Sequence, residues 1–114
     1  EENENADLSP LIKKALQMVK KEYDQGITLE EMADKLFVSE EYLSSQFKKE
    51  IGVGFKEMVR TLQIERIKEL LTNTKLKLNQ IAELAGYSDA KYMSRVFKDE
   101  VGVLPSEFRK SAHC

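Results

Sequence analysis

The feature that most constrains this chain is that it repeats itself. Tyr42-Leu43-Ser44-Ser45-Gln46-Phe47-Lys48-Lys49-Glu50-Ile51-Gly52-Val53 returns 50 residues later as Tyr92-Met93-Ser94-Arg95-Val96-Phe97-Lys98-Asp99-Glu100-Val101-Gly102-Val103, with seven of twelve positions identical. Upstream the offset is 49, pairing Leu29, Ala33 and Ser39 with Leu78, Ala82 and Ser88, so one extra residue is expected between Ser88 and Tyr92. Each copy is a short apolar-periodic run, a turn and a longer run. Those are the proportions of a helix-turn-helix.

Between the copies, Phe55 to about Leu71 runs without Gly or Pro. Phe55, Met58, Val59, Leu62, Ile67, Leu70 and Leu71 are expected to face inward, on a helix roughly 25 Å long at about 1.5 Å per residue. Asn73-Thr74 breaks it. At the other end, Ser9-Pro10 gives a capping residue followed by proline at the first helical position, opening a helix over residues 10–24 that Gln25-Gly26 closes. Thr28 and Glu31 form a capping box for the next helix. Ser39 caps the one after it, with Glu40 and Glu41 in the first turn, where the helix dipole favours acids. In the second copy Leu78–Ala85 is closed by Gly86, Ser88 or Asp89 starts the longer helix, and Pro105 opens a last one.

No segment alternates with period two, so the expected fold class is all-α, with seven helices and two helix-turn-helix subdomains joined by a long linker helix. The expected division is an acidic linker over 1–8, a first subdomain over 9–54, the linker helix over 55–72, a second subdomain over 73–110 and a tail over 111–114.

Composition narrows the function. The net charge of −2 argues against a nucleic-acid partner, because phosphate neutralisation supplies most non-specific affinity. Four of the acids, Glu1, Glu2, Glu4 and Asp7, lie at the amino end, and the rest of the chain holds 18 basic and 16 acidic residues. That remainder is weakly basic. Apolar runs reach three or four residues, against roughly 20 for a membrane helix, so no membrane partner is expected. A lone Cys114 without CxxC or Cys/His spacing implies no disulfide, no metal and no cofactor, and suits a reducing cytoplasmic setting. His113 beside Cys114 lacks an orienting group and an oxyanion site, and no enzyme is expected. A chain opening on Glu without a signal-like segment is expected to be part of a longer protein with an upstream domain.

On each longer helix the residues not needed for a core are small polar or basic. They are Ser44, Ser45, Lys48 and Lys49 in the first copy, and Lys91, Ser94, Arg95 and Lys98 in the second. Such side chains can enter a major groove. Ile81-Ala82, Gly86-Tyr87, Tyr92-Met93-Ser94-Arg95-Val96-Phe97-Lys98, Gly102, Pro105 and Phe108-Arg109 resemble the carboxyl-terminal signature of AraC/XylS-type transcription regulators, over about residues 11–110.

That resemblance implies a DNA-binding domain of a transcription regulator. Double-stranded DNA is the implied partner, with an upstream receiver domain of the response-regulator type, or another sensor domain. It implies base reading by Glu41, Ser44 and Ser45 from the first unit and by Ala90, Lys91, Ser94 and Arg95 from the second. It places phosphates against Ser39, Lys48, Lys49, Ser88 and Lys98. Arg95 suits a bidentate contact to guanine, and its ordinary alternative is a surface ion pair with Asp99. Glu41 could accept from cytosine N4, but the capping role at the helix start is preferred. Tyr42 and Tyr92 either fill the hairpin core or bond a phosphate, and core packing is the expectation.

Leu104 stands where the family usually has a Thr or Ser cap, so the last helix is expected to fray. Tyr87 replaces the commoner Phe. Glu40 and Glu41 replace neutral or basic groups. A rival class stays open on the acidic balance: an all-helical protein-interaction domain that binds no DNA.

Overall fold

The structure, a computed structural model, describes residues 8–112. The acidic stretch Glu1–Asp7 and the His113-Cys114 pair lie outside the described residues. Among the described residues seven α-helices follow one another: α1 (Pro10–Glu22), α2 (Leu29–Leu36), α3 (Glu40–Ile51), α4 (Phe55–Asn73), α5 (Leu78–Ala85), α6 (Ala90–Val101) and α7 (Pro105–Ala112). A single 3₁₀ turn, Tyr23–Gln25, extends α1. No strand occurs among the described residues. The chain divides within α4, between Arg60 and Thr61, into two compact units.

In unit 1 the local signals act as anticipated. The Ser9 hydroxyl accepts from the Ile12 N–H at 3.4 Å, with Pro10 at the first helical position. The Thr28 Oγ1 accepts from Glu31 N–H at 3.1 Å while the Glu31 carboxylate accepts from Thr28 N–H at 3.1 Å. Two orphan donors of α2 are thereby satisfied. Ile12, Ala15, Leu16 and Val19 of α1 are buried, as are Ile27, Met32, Ala33, Leu43 and Phe47. Phe47 meets Phe55 edge to face at 6.4 Å.

Unit 2 repeats this plan with the carboxyl-terminal half of α4 in the place of α1. Ile64, Ile67, Leu70 and Leu71 form one core with Ile81, Ala82, Ala85, Met93, Val96 and Phe97. Ile64 is an addition to the stripe read from the sequence, whereas Phe55, Met58, Val59 and Leu62 are only half-buried. The reason is that α4 lends its first residues to one core and its last to another. Its apolar side chains therefore follow no single stripe. Phe97 meets Phe108 edge to face at 5.6 Å, a second such pair, although the repeat sets Pro105 and not Phe108 in the place of Phe55.

The start of α7 corrects the expectation of fraying. Leu104 has no side-chain acceptor, but the Glu107 carboxylate reaches back to accept from the Leu104 N–H at 3.0 Å. Half of a capping box holds the end closed. Arg109 then donates to the carbonyls of Leu71 (3.1 Å), Leu76 (2.7 Å), Thr74 (3.2 Å) and Leu70 (3.5 Å). Two of these carbonyls, Leu70 and Leu71, belong to the last turn of α4, and Thr74 and Leu76 lie in the loop after it, so one guanidinium fastens the helix end and the loop together.

Candidate nucleic-acid interface

Helices α3 and α6 each bury one face and show another to solvent. In α3 the Ser39 hydroxyl accepts from Tyr42 N–H at 3.1 Å and fixes the helix start. Leu43 and Phe47 anchor the inner face at 0% exposure. Fully burying such a side chain is worth about 1.5–3 kcal/mol, which holds the helix in one rotation about its axis. Glu41, Ser44, Ser45, Lys48 and Lys49 consequently stand exposed together. The acids sit in the first turn and the lysines in the last, each beside the dipole end that favours it. Ser39 remains exposed, and its hydroxyl still has a donor to offer.

In α6 the cap is Asp89, whose Oδ1 accepts from Tyr92 N–H at 2.7 Å. This settles the choice between Ser88 and Asp89 and shifts the register of the repeat. Asp89 is the counterpart of Ser39, so the extra residue belongs to the turn before the helix rather than to its first residues. Ser88 is exposed in that turn. Met93, Val96 and Phe97 are buried, which leaves Lys91, Arg95 and Lys98 exposed, with Ala90 and Ser94 half-buried between them. Among the described residues no ion pair engages Arg95. The Arg95–Asp99 alternative therefore has no contact behind it, and the guanidinium is available to a ligand.

The expectation for the two repeated tyrosines is overturned. Tyr42 is 53% and Tyr92 46% exposed, so neither fills a core. The residue after each, Leu43 and Met93, does that instead at 0%. One position along a helix is about 100° around it. Recurrence at equivalent positions marks these tyrosines as kept without saying on which side they lie.

Two functional-looking side chains carry no motif. Glu50, near the end of α3, accepts from Ser9 N–H at 2.8 Å, from Ser9 Oγ–H at 2.9 Å and from Gln46 Nε2–H at 2.6 Å. The backbone bond from Ser9, then the Gln46 side chain, hold its carboxyl below the usual carboxylate value. The recognition helix of unit 1 is thereby tied to the start of α1. The second is Phe37, in the turn between α2 and α3. It is 93% exposed and left-handed at φ 61°, where its counterpart in unit 2 is Gly86.

Among the described residues no helix is long and apolar enough to cross a membrane. A family model described as a helix-turn-helix domain matches residues 32–111. The Msm operon regulatory protein of Streptococcus mutans is 29% identical over 109 residues, covering 96% of this chain and 39% of its own length. The C-terminal domain of AraT, a response regulator from Geobacillus stearothermophilus, superposes with a TM-score of 0.88 at 37% identity, over 92% of this chain and 88% of that one. The DNA-binding domain of AdpA, in complex with a target DNA, shares the fold at a TM-score of 0.83 and 14% identity, over 90% of this chain and 93% of that one. This chain spans between 26% and 39% of the length of the curated relatives that head the comparison. Those relatives are transcription regulators, not enzymes. With two exposed polar and basic helix faces on this fold, the chain belongs to the helix-turn-helix family of AraC/XylS-type transcription regulators, as their DNA-binding domain.

Proposed function

We propose that this domain reads double-stranded DNA with α3 and α6 in successive major-groove segments, as the output end of a regulator whose upstream part is a receiver domain. The observation that carries the DNA reading is the pair of exposed polar faces, each set by a buried Phe at the same place in the repeat. The receiver domain is supported by the likeness to the C-terminal domain of AraT, a response regulator. The expected place of work is the cytoplasm, at the nucleoid.

Arg95 is assigned the leading role, donating two hydrogen bonds to guanine O6 and N7. Lys91, Ala90 and Ser94 line the same groove, as Glu41, Ser44 and Ser45 do for the first unit. Lys48, Lys49, Lys98, Ser39 and Ser88 hold phosphates. The division into two reading units makes a non-palindromic site sufficient, since one chain carries two recognition helices.

Titration of the domain against mixed-sequence DNA at low and moderate salt tests the reading. Binding with steep salt dependence is expected. Absence of binding at low salt overturns it in favour of a protein-interaction domain. Arg95→Ala is expected to cost about 1–3 kcal/mol on a selected site and to relax the preference at one base position. Equal weakening on all sequences would assign Arg95 to phosphate. Lys48→Ala and Lys98→Ala should each lower the salt slope by about one unit.

A further inference from the structure

We infer that Tyr42 and Tyr92 are phosphate-positioning residues, each donating its phenol O–H to the DNA backbone at the edge of the groove that its helix enters. The inference rests on the DNA reading above.

Three observations point the same way. The tyrosines occupy equivalent places in the first turn of α3 and α6, with their N–H groups bonded to the caps Ser39 and Asp89. A recognition helix contacts DNA with its amino-terminal half, so this turn is where contact begins. The second observation is the contrast with the other aromatic pair of the repeat. Phe47 and Phe97 are wholly buried, and Tyr42 and Tyr92 are about half exposed. The repeat thus keeps a phenyl ring where there is a core and a phenol where there is solvent. At an exposed position the hydroxyl is what tyrosine adds over phenylalanine, one donor with no charge. The third is bracing. The Tyr92 ring packs against Tyr87 at 5.8 Å between centroids and 57° between planes. A ring held in this way aims its hydroxyl at little further entropic cost.

A neutral donor also suits unit 1. Glu40 and Glu41 share the first turn with Tyr42, and a lysine there would be drawn to those carboxylates. A phenol is not. It contributes one hydrogen bond to phosphate without displacing a counterion, which gives it a signature unlike that of either an arginine in the groove or a lysine on the backbone.

Tyr42→Phe, Tyr92→Phe and the double variant keep the rings and remove only the hydroxyls. Affinity of the full chain is measured for a duplex selected from a random pool and for a mixed-sequence duplex, across a salt series. Each single variant is expected to lose roughly tenfold or more on both duplexes, the effect of one uncharged donor bonding a charged phosphate oxygen. The salt slope and the melting temperature are expected to stay at the wild-type values. Unchanged affinity in the double variant, or a loss confined to the selected duplex, overturns the assignment while leaving the DNA reading intact. Failure of the wild-type chain to bind either duplex overturns both.

Discussion

The two hairpins share their core pattern, and a side chain of opposite charge is seen fastening each to the helix behind it. In unit 1 an acid on α3, Glu50, gathers donors at the amino end of α1. In unit 2 a guanidinium on α7, Arg109, gathers acceptors at the carboxyl end of α4 and in the loop after it. Each charge is the one that its helix end attracts, negative at the amino end and positive at the carboxyl end. By the repeat, Glu100 stands where Glu50 does, and Val59 stands where Arg109 does. The acid is thus kept in both copies, and Glu100 is itself engaged, whereas the place of the guanidinium is not repeated. What recurs is the information a hairpin needs internally, namely the buried Phe and the left-handed glycines Gly52 and Gly102 that end α3 and α6. What differs depends on which end of a neighbouring helix lies alongside.

The largest expected effect separates the two ties. Arg109→Ala leaves carbonyls of Leu70, Leu71, Thr74 and Leu76 without the donor that joins them, and is expected to cost about 2–3 kcal/mol in urea unfolding. Amide exchange should rise at the end of α4 and in α5, with α1 and α2 unaffected. Arg109→Lys should recover only part, because an ammonium cannot span the same acceptors as a planar guanidinium. Equal loss of protection in both units would dissolve the distinction between them.

What was legible in the sequence follows the same division between local and distant. Ser9, Thr28 with Glu31, and Gly86 act on residues within four positions of themselves, and they do in the structure what their types announce. Ser9, which Glu50 holds, and the carbonyls that Arg109 holds lie 41 and 33 to 39 residues away, and no spacing rule reaches that far. Ser88 and Asp89 were equal candidates as caps because both side chains can accept, and only the backbone path chose. Tyr42 and Tyr92 were misplaced because recurrence reports that a position matters and not which way it faces. The exposed face of α3 and α6 was legible from the apolar residues alone, since Phe47 and Phe97 fix what remains outside.

The turns of the two hairpins allow a sharper and smaller comparison. Both need a left-handed residue after the first helix, Phe37 at φ 61° and Gly86 at φ 93°. A side chain in that region costs roughly 1–2 kcal/mol. Gly86→Ala is accordingly expected to destabilise by about that amount. Phe37→Gly removes the same strain, but glycine loses more backbone freedom on folding, by roughly 0.5–1 kcal/mol. The ring at 93% exposure has little packing to lose. The net change should be a stabilisation of between zero and about 1.5 kcal/mol, as checked by thermal and urea unfolding. A loss at Phe37→Gly as large as at Gly86→Ala would show that the Phe37 ring holds the first turn together.

The smallest effect distinguishes the two ties by pH. Glu50 in the folded chain holds its proton less tightly than its ordinary value of 4.5. Its contribution to stability is then present above about that pH and fades as the pH falls through the folded value, because protonation removes the charge that Ser9 and Gln46 stabilise. The bonds of Arg109 run to backbone carbonyls and involve no carboxylate, so the tie in unit 2 is expected to add no slope in the same window. Glu50→Gln keeps an acceptor oxygen and removes the charge. The stability difference between wild type and this variant should be small at pH 7 and shrink as the pH falls from the ordinary value of 4.5 through the lower folded value. For Arg109→Ala the corresponding difference should stay constant across that range. A Glu50→Gln difference that also stayed constant would mean that the shape of the side chain at position 50, and not its charge, joins α3 to α1, and the opposition of acid and base between the units would no longer explain how each is held.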